Sequence, residues 1–247
     1  MPEHALARNY GPAEPKAPAE TTQVGPNADN VPRIALLTGR FGRYAMLAGA
    51  ALFWSIAGLS LWIGAGVVCP SGSCRVLELD RRLLEALSAL QRPWLDPILT
   101  AATWLGSVTV LLPAALALAW RYRRHGQPGA ALLLPIAVSG AWLLAHAGKL
   151  LVLRPRPDLY PALIAMPADL SFPSAHTMQI TAFTLAWVLA AGSRPGWPGV
   201  TAAALIILVV ALSRLYLQVH FPSDVVVGMI AAAAWVVGLR LALGARA

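Results

Sequence analysis

The chain has 247 residues, of which 57% are hydrophobic and only 12% are charged. Soluble domains contain about 25% charged residues, so this composition indicates a membrane protein. Once the apolar segments are set aside, too little chain remains for a large soluble catalytic domain or a separate nucleotide-binding domain. We therefore expect any chemistry to take place at the ends of helices.

Uncharged segments recur along the chain at nearly regular intervals. They cover residues 44–68, 97–120, 126–148, 170–193, 195–213 and 225–239. A transmembrane helix needs about 20 mostly apolar residues, a length that five of the segments supply. The sixth has 15 residues and qualifies if Arg240 extends its side chain to the membrane interface. The sequence therefore predicts an all-α polytopic membrane protein, a bundle of six transmembrane helices.

The net charge of +8 is distributed unevenly between the two sides of this bundle. With the N-terminus inside, the inner side carries eleven basic and four acidic residues, a net charge of +7. The outer side carries eight basic and seven acidic residues, a net charge of +1. This asymmetry follows the positive-inside rule and is not the basic patch of a nucleic-acid-binding protein. We expect a protein of the cytoplasmic (inner) membrane with both termini inside and no nucleic-acid partner.

The N-terminal part of the chain differs in composition from the rest. Residues 1–43 are rich in proline and polar residues, which predicts a disordered cytoplasmic tail. They contain no apolar segment of the kind found in a cleavable signal peptide. The membrane domain is then expected to cover residues 44–247.

Two outer connections, residues 68–96 and 154–173, are long, which favours a functional role. In the first, leucines recur at helical spacing at positions 79, 83, 87 and 90, and oppositely charged residues four apart occupy another face. We expect an amphipathic helix that either lies on the outer membrane surface or packs over the bundle. Cys69 and Cys74, in the same connection, form either a disulfide in an oxidising compartment or two free thiols.

Polar residues gather at the outer ends of the predicted spans, in three groups. These groups are residues 149–157, 172–176 and 213–224. A charge at the middle of a membrane helix costs on the order of 2.5–3.5 kcal/mol, so charges this close to the spans require a reason. Each residue alone has an ordinary explanation as a helix cap or an interface anchor. Together, however, three cations, two histidines and a carboxylate meet on one face.

These residue types suit a phosphate ester. Lysine and arginine pair with phosphate oxygens, and the backbone N–H groups of residues 174–176 open a helix whose N-terminus attracts an anion. The candidate phosphate-binding residues are Lys149, Arg156, Ser174, Ala175 and Arg214.

The candidate catalytic residues are His220, His176 and Asp224. His220 and Asp224 are four residues apart, so on a helical turn the carboxylate can accept the imidazole Nδ1–H and leave Nε2 free. An oriented neutral imidazole is a nucleophile or a base. His176 belongs to a different helix and could lie on the opposite side of the phosphorus, where the leaving oxygen needs a proton.

Two other interpretations use the same residues. The two histidines and Asp224 could ligate zinc, but three nearby cations repel a divalent ion and spare carboxylates are few. We therefore expect no metal and no other cofactor. A proton-coupled transporter also uses intramembrane histidine and aspartate, although its polar residues would lie nearer the membrane midplane.

The three groups resemble the motifs of a known family. Residues 149–157 fit K-x6-R-P, residues 173–176 fit P-S-G-H with one change, and residues 213–224 fit S-R-x5-H-x3-D. In this order they are similar to the signature motifs of the type-2 phosphatidic acid phosphatase family of membrane lipid phosphatases. That family shares its site with vanadium-dependent haloperoxidases. The resemblance spans roughly residues 75–243.

The resemblance implies a role for each motif residue. Phosphate would be bound by Lys149, Arg156, Ser174 and Arg214. His220 would be the nucleophile, Asp224 would orient it, and His176 would protonate the leaving group.

The implied function is hydrolysis of a lipid phosphate or pyrophosphate ester, through a phosphohistidine, at the periplasmic or extracellular face of the membrane. The alternatives are a lipid phosphotransferase with the same site, or a non-enzymatic transporter. The expected partners are the lipid substrate and the bilayer. The substrate is left open among undecaprenyl pyrophosphate, phosphatidylglycerophosphate, phosphatidate and lipid A phosphates, as is the oligomeric state.

Three residues stand outside this pattern. Ala175 replaces the usual glycine of the second motif; glycine allows close approach or a positive φ, so the change affects the placement of one N–H. Arg154 competes with Arg156 for the phosphate, although the K-x6-R spacing favours Arg156. His146 matches no motif and is expected to be a packed or pore-facing neighbour.

Overall fold

The computed structural model describes residues 33–70, 74–190 and 195–244, and all regular structure in these ranges is helical. The α-helices are α1 (Arg33–Trp62), α2 (Glu78–Ala89), α3 (Asp96–Thr103), α4 (Val108–Arg124), α5 (Pro128–Val152), α6 (Ala175–Ala190), α7 (Gly196–Tyr216) and α8 (Pro222–Gly244). A π-helical turn, Ile63–Val68, extends α1, and a 3₁₀ turn, Trp104–Gly106, joins α3 to α4. The predicted all-α membrane fold is confirmed.

The number of spans differs from the prediction. Four helical segments of the described ranges are long and apolar enough to cross a membrane: Leu47–Val68, Pro128–Val152, Gly196–Tyr216 and Pro222–Leu243. The segments on either side of residue 107 meet at an angle of 49° and make a fifth crossing if they act as one bent span. The predicted fourth span corresponds to α6, which has only 16 residues. The structure thus supports four or five spans by length, and the count of six is not confirmed.

The first helix begins before the predicted domain boundary. It starts at Arg33, so residues 33–43, assigned above to the tail, are helical. No proline interrupts the sequence between Pro32 and Pro70, which lets a single helix run through both segments. The remainder of the predicted tail, residues 1–32, lies outside the described ranges.

Helix α6 occupies the centre of the bundle. It packs against α5, α7 and α8, and ten of its 16 residues are buried. A helix with neighbours on all sides needs apolar or small residues all around, which this segment has. The C-terminal end of α5, the start of α6 and the connection between α7 and α8 meet at one end of the bundle, here named the site end.

Helix α2 lies across the site end and combines the two arrangements considered above. Asp80 and Leu84 are buried on one face, and Leu84 packs among apolar residues of α7, α8 and their connection. By contrast, Leu79, Leu83 and Leu90 are exposed. One face therefore docks on the bundle, while a leucine-bearing face points outward and suits a membrane surface.

The loop before α2 is closed by a disulfide between Cys69 and Cys74, the first of the two alternatives above. Cys69 is buried together with Val68, Val152 and Phe172. These contacts hold the loop against the end of α5 and against the segment that leads into α6. The loop therefore stabilises the end of α5 and the start of α6, two of the elements that carry candidate site residues.

Candidate active site

Three backbone segments carry the predicted site residues to the site end. Lys149 lies in the last turn of α5, and Leu153 ends that helix in a left-handed conformation, with φ of 57°. The loop that follows carries Arg156. His176 lies in the first turn of α6, and His220 lies in the connection between α7 and α8.

Two glycines permit the close packing of these segments. A Cβ on Gly148 of α5 would lie 2.7 Å from Pro173 Cδ, just before α6. A Cβ on Gly106 would lie 2.9 Å from the carbonyl oxygen of His176. Any larger residue at either position would displace the start of α6, so both positions control where His176 lies.

His220 and Asp224 form the predicted pair. Nδ1 of His220 lies 3.4 Å from Oδ2 of Asp224, and Nη1 of Arg156 lies 3.1 Å from Nε2 of His220. A guanidinium group can only donate, so Nε2 must be the acceptor and Nδ1 must carry the proton of the neutral ring. This is the tautomer in which Nε2 keeps a lone pair for attack.

The surroundings keep the ring of His220 neutral. Burial lowers the pKa of His220 well below its ordinary value, and the charges of Arg156, Arg214 and Lys149 lower the pKa further. Both effects disfavour the imidazolium form. At neutral pH the histidine therefore rests in the form that is able to act as a nucleophile.

Two of the three predicted phosphate-binding cations are paired with Asp169. This residue belongs to none of the three motifs and was not predicted from the sequence to be part of the site. Lys149 Nζ lies 3.0 Å from Oδ2 of Asp169, and Arg156 Nη2 lies 2.5 Å from Oδ1. Burial raises the pKa of Asp169, but the hydrogen bonds from Arg156 and Lys149 outweigh burial and lower the pKa to about 2. An ionised carboxylate thus bridges two cations in the manner of a pair of phosphate oxygens.

We expect Asp169→Asn to lower the KM for a phosphate substrate on the order of fivefold, because the exposed carboxylate of Asp169, whose pairing is worth about 1 kcal/mol, no longer competes with the substrate. The kcat should change little. Steady-state kinetics in detergent measures both constants, and Asp158→Asn, an exposed aspartate of the same loop, is the matched control. An unchanged or increased KM would show that Asp169 does not compete with phosphate.

Arg214, the third cation, keeps a free donor. It is buried, and its Nη1 donates to Thr103 Oγ1 at 2.6 Å. Within the described residues its Nε has no hydrogen-bond partner. A buried guanidinium donor without an acceptor calls for an explanation, and a bound anion supplies one. Thr103, from α3, was not recognised in the sequence because it lies 111 residues from its partner.

The start of α6 offers fewer donors than predicted. The N–H of Ser174 donates to the carbonyl of Asp224 at 3.1 Å, and the Ser174 hydroxyl is within 3.0 Å of Thr177 Oγ1. Ser174 is fully buried and joins α6 to the first turn of α8. The N–H groups of Ala175 and His176 lie in the first helical turn, where no helical acceptor exists. The expectation of three free N–H groups is therefore corrected to two.

The alanine at position 175 fits its backbone. In the part of the chain that the structure describes, the only non-glycine residues with positive φ are Leu153 and Gln218. Ala175 thus has no conformation that would require glycine. The departure from the second motif leaves the start of this helix intact.

The ring of His176 is not held by hydrogen bonds within the described residues. It lies among the same cations as His220, with the charges of Arg214, Arg156 and Lys149 acting on it. No group in the described ranges forms a hydrogen bond to its ring, so the ring can turn toward a leaving oxygen. These positive charges disfavour a protonated ring, so the role of an acid requires an anionic phosphate that offsets them.

The two remaining residues of the sequence analysis are placed elsewhere. Arg154 is buried and pairs with Asp80 and Asp224, so Arg156 is the arginine that faces His220. His146 stacks on Trp142 with ring centroids 4.4 Å apart and bonds the carbonyl of that residue. In the described ranges no group of three or more His, Cys, Asp or Glu side chains is arranged to hold a metal ion.

Comparison with known proteins shows which proteins this chain is similar to. The family model of the PAP2 superfamily matches residues 126–246. Phosphatidylglycerophosphatase B of Bacillus subtilis (strain 168) is 29% identical over 159 residues, which cover 62% of this chain and 77% of that protein. Decaprenylphosphoryl-5-phosphoribose phosphatase of Mycolicibacterium smegmatis is 44% identical over 100 residues, 38% of this chain and 51% of that protein. This chain therefore spans about half the length of the mycolicibacterial relative.

Two solved structures are similar in fold. The PAP2 type phosphatidylglycerolphosphate phosphatase from Bacillus subtilis matches with a TM-score of 0.57 and 25% identity, over 82% of this chain and 94% of that one. Aquifex aeolicus LpxE matches with a TM-score of 0.55 and 24% identity, over 66% of this chain and 96% of that one. The match to the family, the relatives and the shared fold lead to one conclusion: residues 126–246 form a PAP2 superfamily domain, and the chain is a phosphatase.

Proposed function

We propose that this protein hydrolyses a lipid phosphate or pyrophosphate ester at the outer face of the cytoplasmic membrane, through a phosphohistidine formed on His220. The observation that carries the proposal is the setting of the His220 ring. Its Nδ1 faces Asp224, and its Nε2 lies 3.1 Å from Arg156, a cation suited to phosphate. This arrangement supports Nε2 as the nucleophile, because it lies beside a cation that would hold the phosphate.

The reaction begins when the substrate phosphate replaces the carboxylate of Asp169 between Lys149 and Arg156. Nε2 of His220 attacks the phosphorus and forms a P–N bond as the P–O bond to the lipid breaks. His176 donates its proton to the departing oxygen. The imidazole becomes cationic in this step, and the carboxylate of Asp224 stabilises that charge.

The second step regenerates the enzyme. His176, now neutral, accepts a proton from water, and the resulting hydroxide attacks the phosphorus. The P–N bond breaks, inorganic phosphate is released, and His220 returns to its neutral form. In both steps the negative charge on the phosphoryl oxygens is held by three cations, which is the main task in phosphoryl transfer.

Two observations support a lipid as the substrate. Both curated relatives described above carry names of phosphatases that act on lipid-linked phosphates. In addition, an apolar cavity of about 220 Å³ adjoins the site, and its lining includes Gly148, Phe172 and Pro173. These residues are sequence neighbours of Lys149 and Ser174, so a hydrocarbon chain in this cavity would lead into the phosphate site.

The experiment that tests the proposal is phosphate release from four lipids by the detergent-solubilised protein. The panel is undecaprenyl pyrophosphate, phosphatidylglycerophosphate, phosphatidate and lipid A phosphate. Release of inorganic phosphate from at least one lipid is expected. Consumption of a lipid with transfer of its phosphoryl group to another acceptor would indicate a phosphotransferase, and no turnover of any lipid would overturn the proposal.

The proposed orientation predicts a labelling pattern in intact cells. A membrane-impermeant thiol reagent should label Asp158→Cys, which lies at the site end, and should not label His125→Cys, which follows α4 at the opposite end. Both positions are exposed, and the native cysteines are joined in a disulfide. Labelling of both in permeabilised cells is the control. The reverse pattern in intact cells would place the site at the inner face.

A further inference from the structure

We propose that Asp80 and Arg154 form a clamp that positions the carboxylate of Asp224, which makes α2 part of the catalytic apparatus. The inference rests on the proposed function, because the clamp acts through His220. Neither residue touches the phosphate site in the roles given above, so both are positioning residues. We name the pair the Asp80–Arg154 clamp.

The carboxylate of Asp224 is held on both of its oxygens. Oδ1 accepts a hydrogen bond from Arg154 Nη1 at 2.6 Å. Oδ2 accepts the N–H of Phe221 at 2.9 Å and the hydroxyl of Ser171, and it faces His220. Arg154 therefore fixes the oxygen that does not face the imidazole, and the carboxylate cannot rotate away from His220 without breaking this pair.

Asp80 holds the other arm of Arg154. Its Oδ2 lies 2.9 Å from Arg154 Nη2 and accepts the hydroxyl of Ser223 at 2.6 Å. Its Oδ1 accepts the backbone N–H of Ser223 at 2.9 Å. Ser223 directly precedes Asp224. The side chain of Asp80 therefore binds both the guanidinium that pairs with Asp224 and the helical turn that carries Asp224.

The deep burial of these three charged side chains argues against the explanation that they only attach α2 to the bundle. Asp80, Arg154 and Asp224 are at most 2% exposed, and the ring of Phe221 lies 3.8 Å from Arg154 Cζ. Burial of a charge costs several kcal/mol, and apolar residues usually fasten two elements as well as a buried ion pair does. Leu84 already supplies apolar contact on the same face of the helix. The charges are better explained by the orientation that they impose on Asp224.

The clamp also sets the net charge beside His220. Two carboxylates and one guanidinium lie in a row, in the order Asp80, Arg154 and Asp224. The row has a net negative charge, which faces the His220 ring as that ring becomes cationic during attack. Without the charge of Asp80 the row is neutral and attracts the cationic ring less. Lys149, Arg156 and Arg214 still bind the substrate, so the loss should affect kcat and leave KM unchanged.

The first test separates kcat from KM. In Asp80→Asn we expect kcat to fall about tenfold, the scale for a residue that orients a reacting group, with KM within about twofold of wild type. Arg154→Met should lose on the order of a hundredfold, and Arg154→Lys should recover about tenfold of that loss, because it keeps the charge and one donor. Glu85→Gln removes an exposed negative charge from the same helix and should leave kcat unchanged.

A second control tests the purely structural explanation. Leu84→Ala weakens the docking of α2 without touching a charge, so it should lower the unfolding temperature and leave the kcat of the folded protein unchanged. If Asp80→Asn likewise lowers the unfolding temperature and keeps a normal kcat, the clamp only fastens α2 and the proposal is overturned.

Vanadate binding tests the clamp without turnover. A pentacoordinate vanadate takes the nucleophilic nitrogen as a ligand, whereas phosphate binds through the cations alone. Asp80→Asn should weaken vanadate binding about tenfold and leave phosphate binding unchanged, as measured by ligand-induced shifts of the unfolding temperature. Equal vanadate binding by both proteins would overturn the clamp. If the wild-type protein turns over none of the four lipids but binds vanadate more tightly than Asp80→Asn does, the clamp is supported and the proposed hydrolysis is overturned.

Discussion

Replacement of His220 by alanine is expected to abolish phosphate release from every substrate, activated aryl phosphates included. Without Nε2 no P–N bond can form, and removal of a nucleophile that acts as part of a unit costs on the order of 10⁴–10⁶-fold in kcat. Phosphate release from a lipid and from an aryl phosphate measures the loss. The matched control is His146→Ala, which removes a histidine of α5 that stacks on Trp142 outside the site and should stay active.

The same variant tests the covalent intermediate. Wild-type protein quenched in alkali during turnover of labelled substrate should retain label in an acid-labile P–N linkage, and His220→Ala should retain none. Phosphate release by His220→Ala at a rate near that of wild type would mean that water attacks phosphorus directly. The assignment of the nucleophile would then be wrong, although the protein would still be a phosphatase.

His176→Ala should lose activity in a way that depends on the leaving group. An alkoxide of a lipid alcohol is a poor leaving group without a proton, so a loss of about 10²–10⁴-fold is expected for the first step with a lipid phosphate. An aryl oxide leaves with little help, so the initial burst of aryl alcohol should remain fast. Rapid-mixing measurements with the two substrate classes compare these steps.

The proposed second role of His176 adds a further expectation. If it also activates water, the variant should accumulate the phosphohistidine after the burst, and steady-state turnover of the aryl phosphate should be slow. His146→Ala again serves as the control. Equal losses in the first step with both substrate classes, and no trapped intermediate, would contradict the role of His176 as the acid.

The sequence alone was sufficient to predict the features that depend on composition and on the spacing of residues along the chain. Apolar segments of nearly constant spacing indicated a helical membrane protein because a helix must match the thickness of the bilayer. The i,i+4 spacing of His220 and Asp224 indicated their contact. The reason differs from the expected helical turn, because His220 precedes α8 and Asp224 turns back to accept the N–H of Phe221. The spacing from Lys149 likewise favoured Arg156 over Arg154.

Only the tertiary structure decided the contacts between residues far apart in the chain. Asp80 lies 74 residues from Arg154, and Thr103 lies 111 residues from Arg214. Asp169 meets Lys149 from a part of the loop before α6 that belongs to no motif. No periodicity relates such residues, because their contact depends on how α2, α3 and the loop before α6 pack on the bundle. Packing also decided that Ser174 donates its N–H to Asp224 and not to a ligand. The spacing along the chain identifies which residues form the site. The packing of the whole bundle decides which acidic residues pair with the cations of the site.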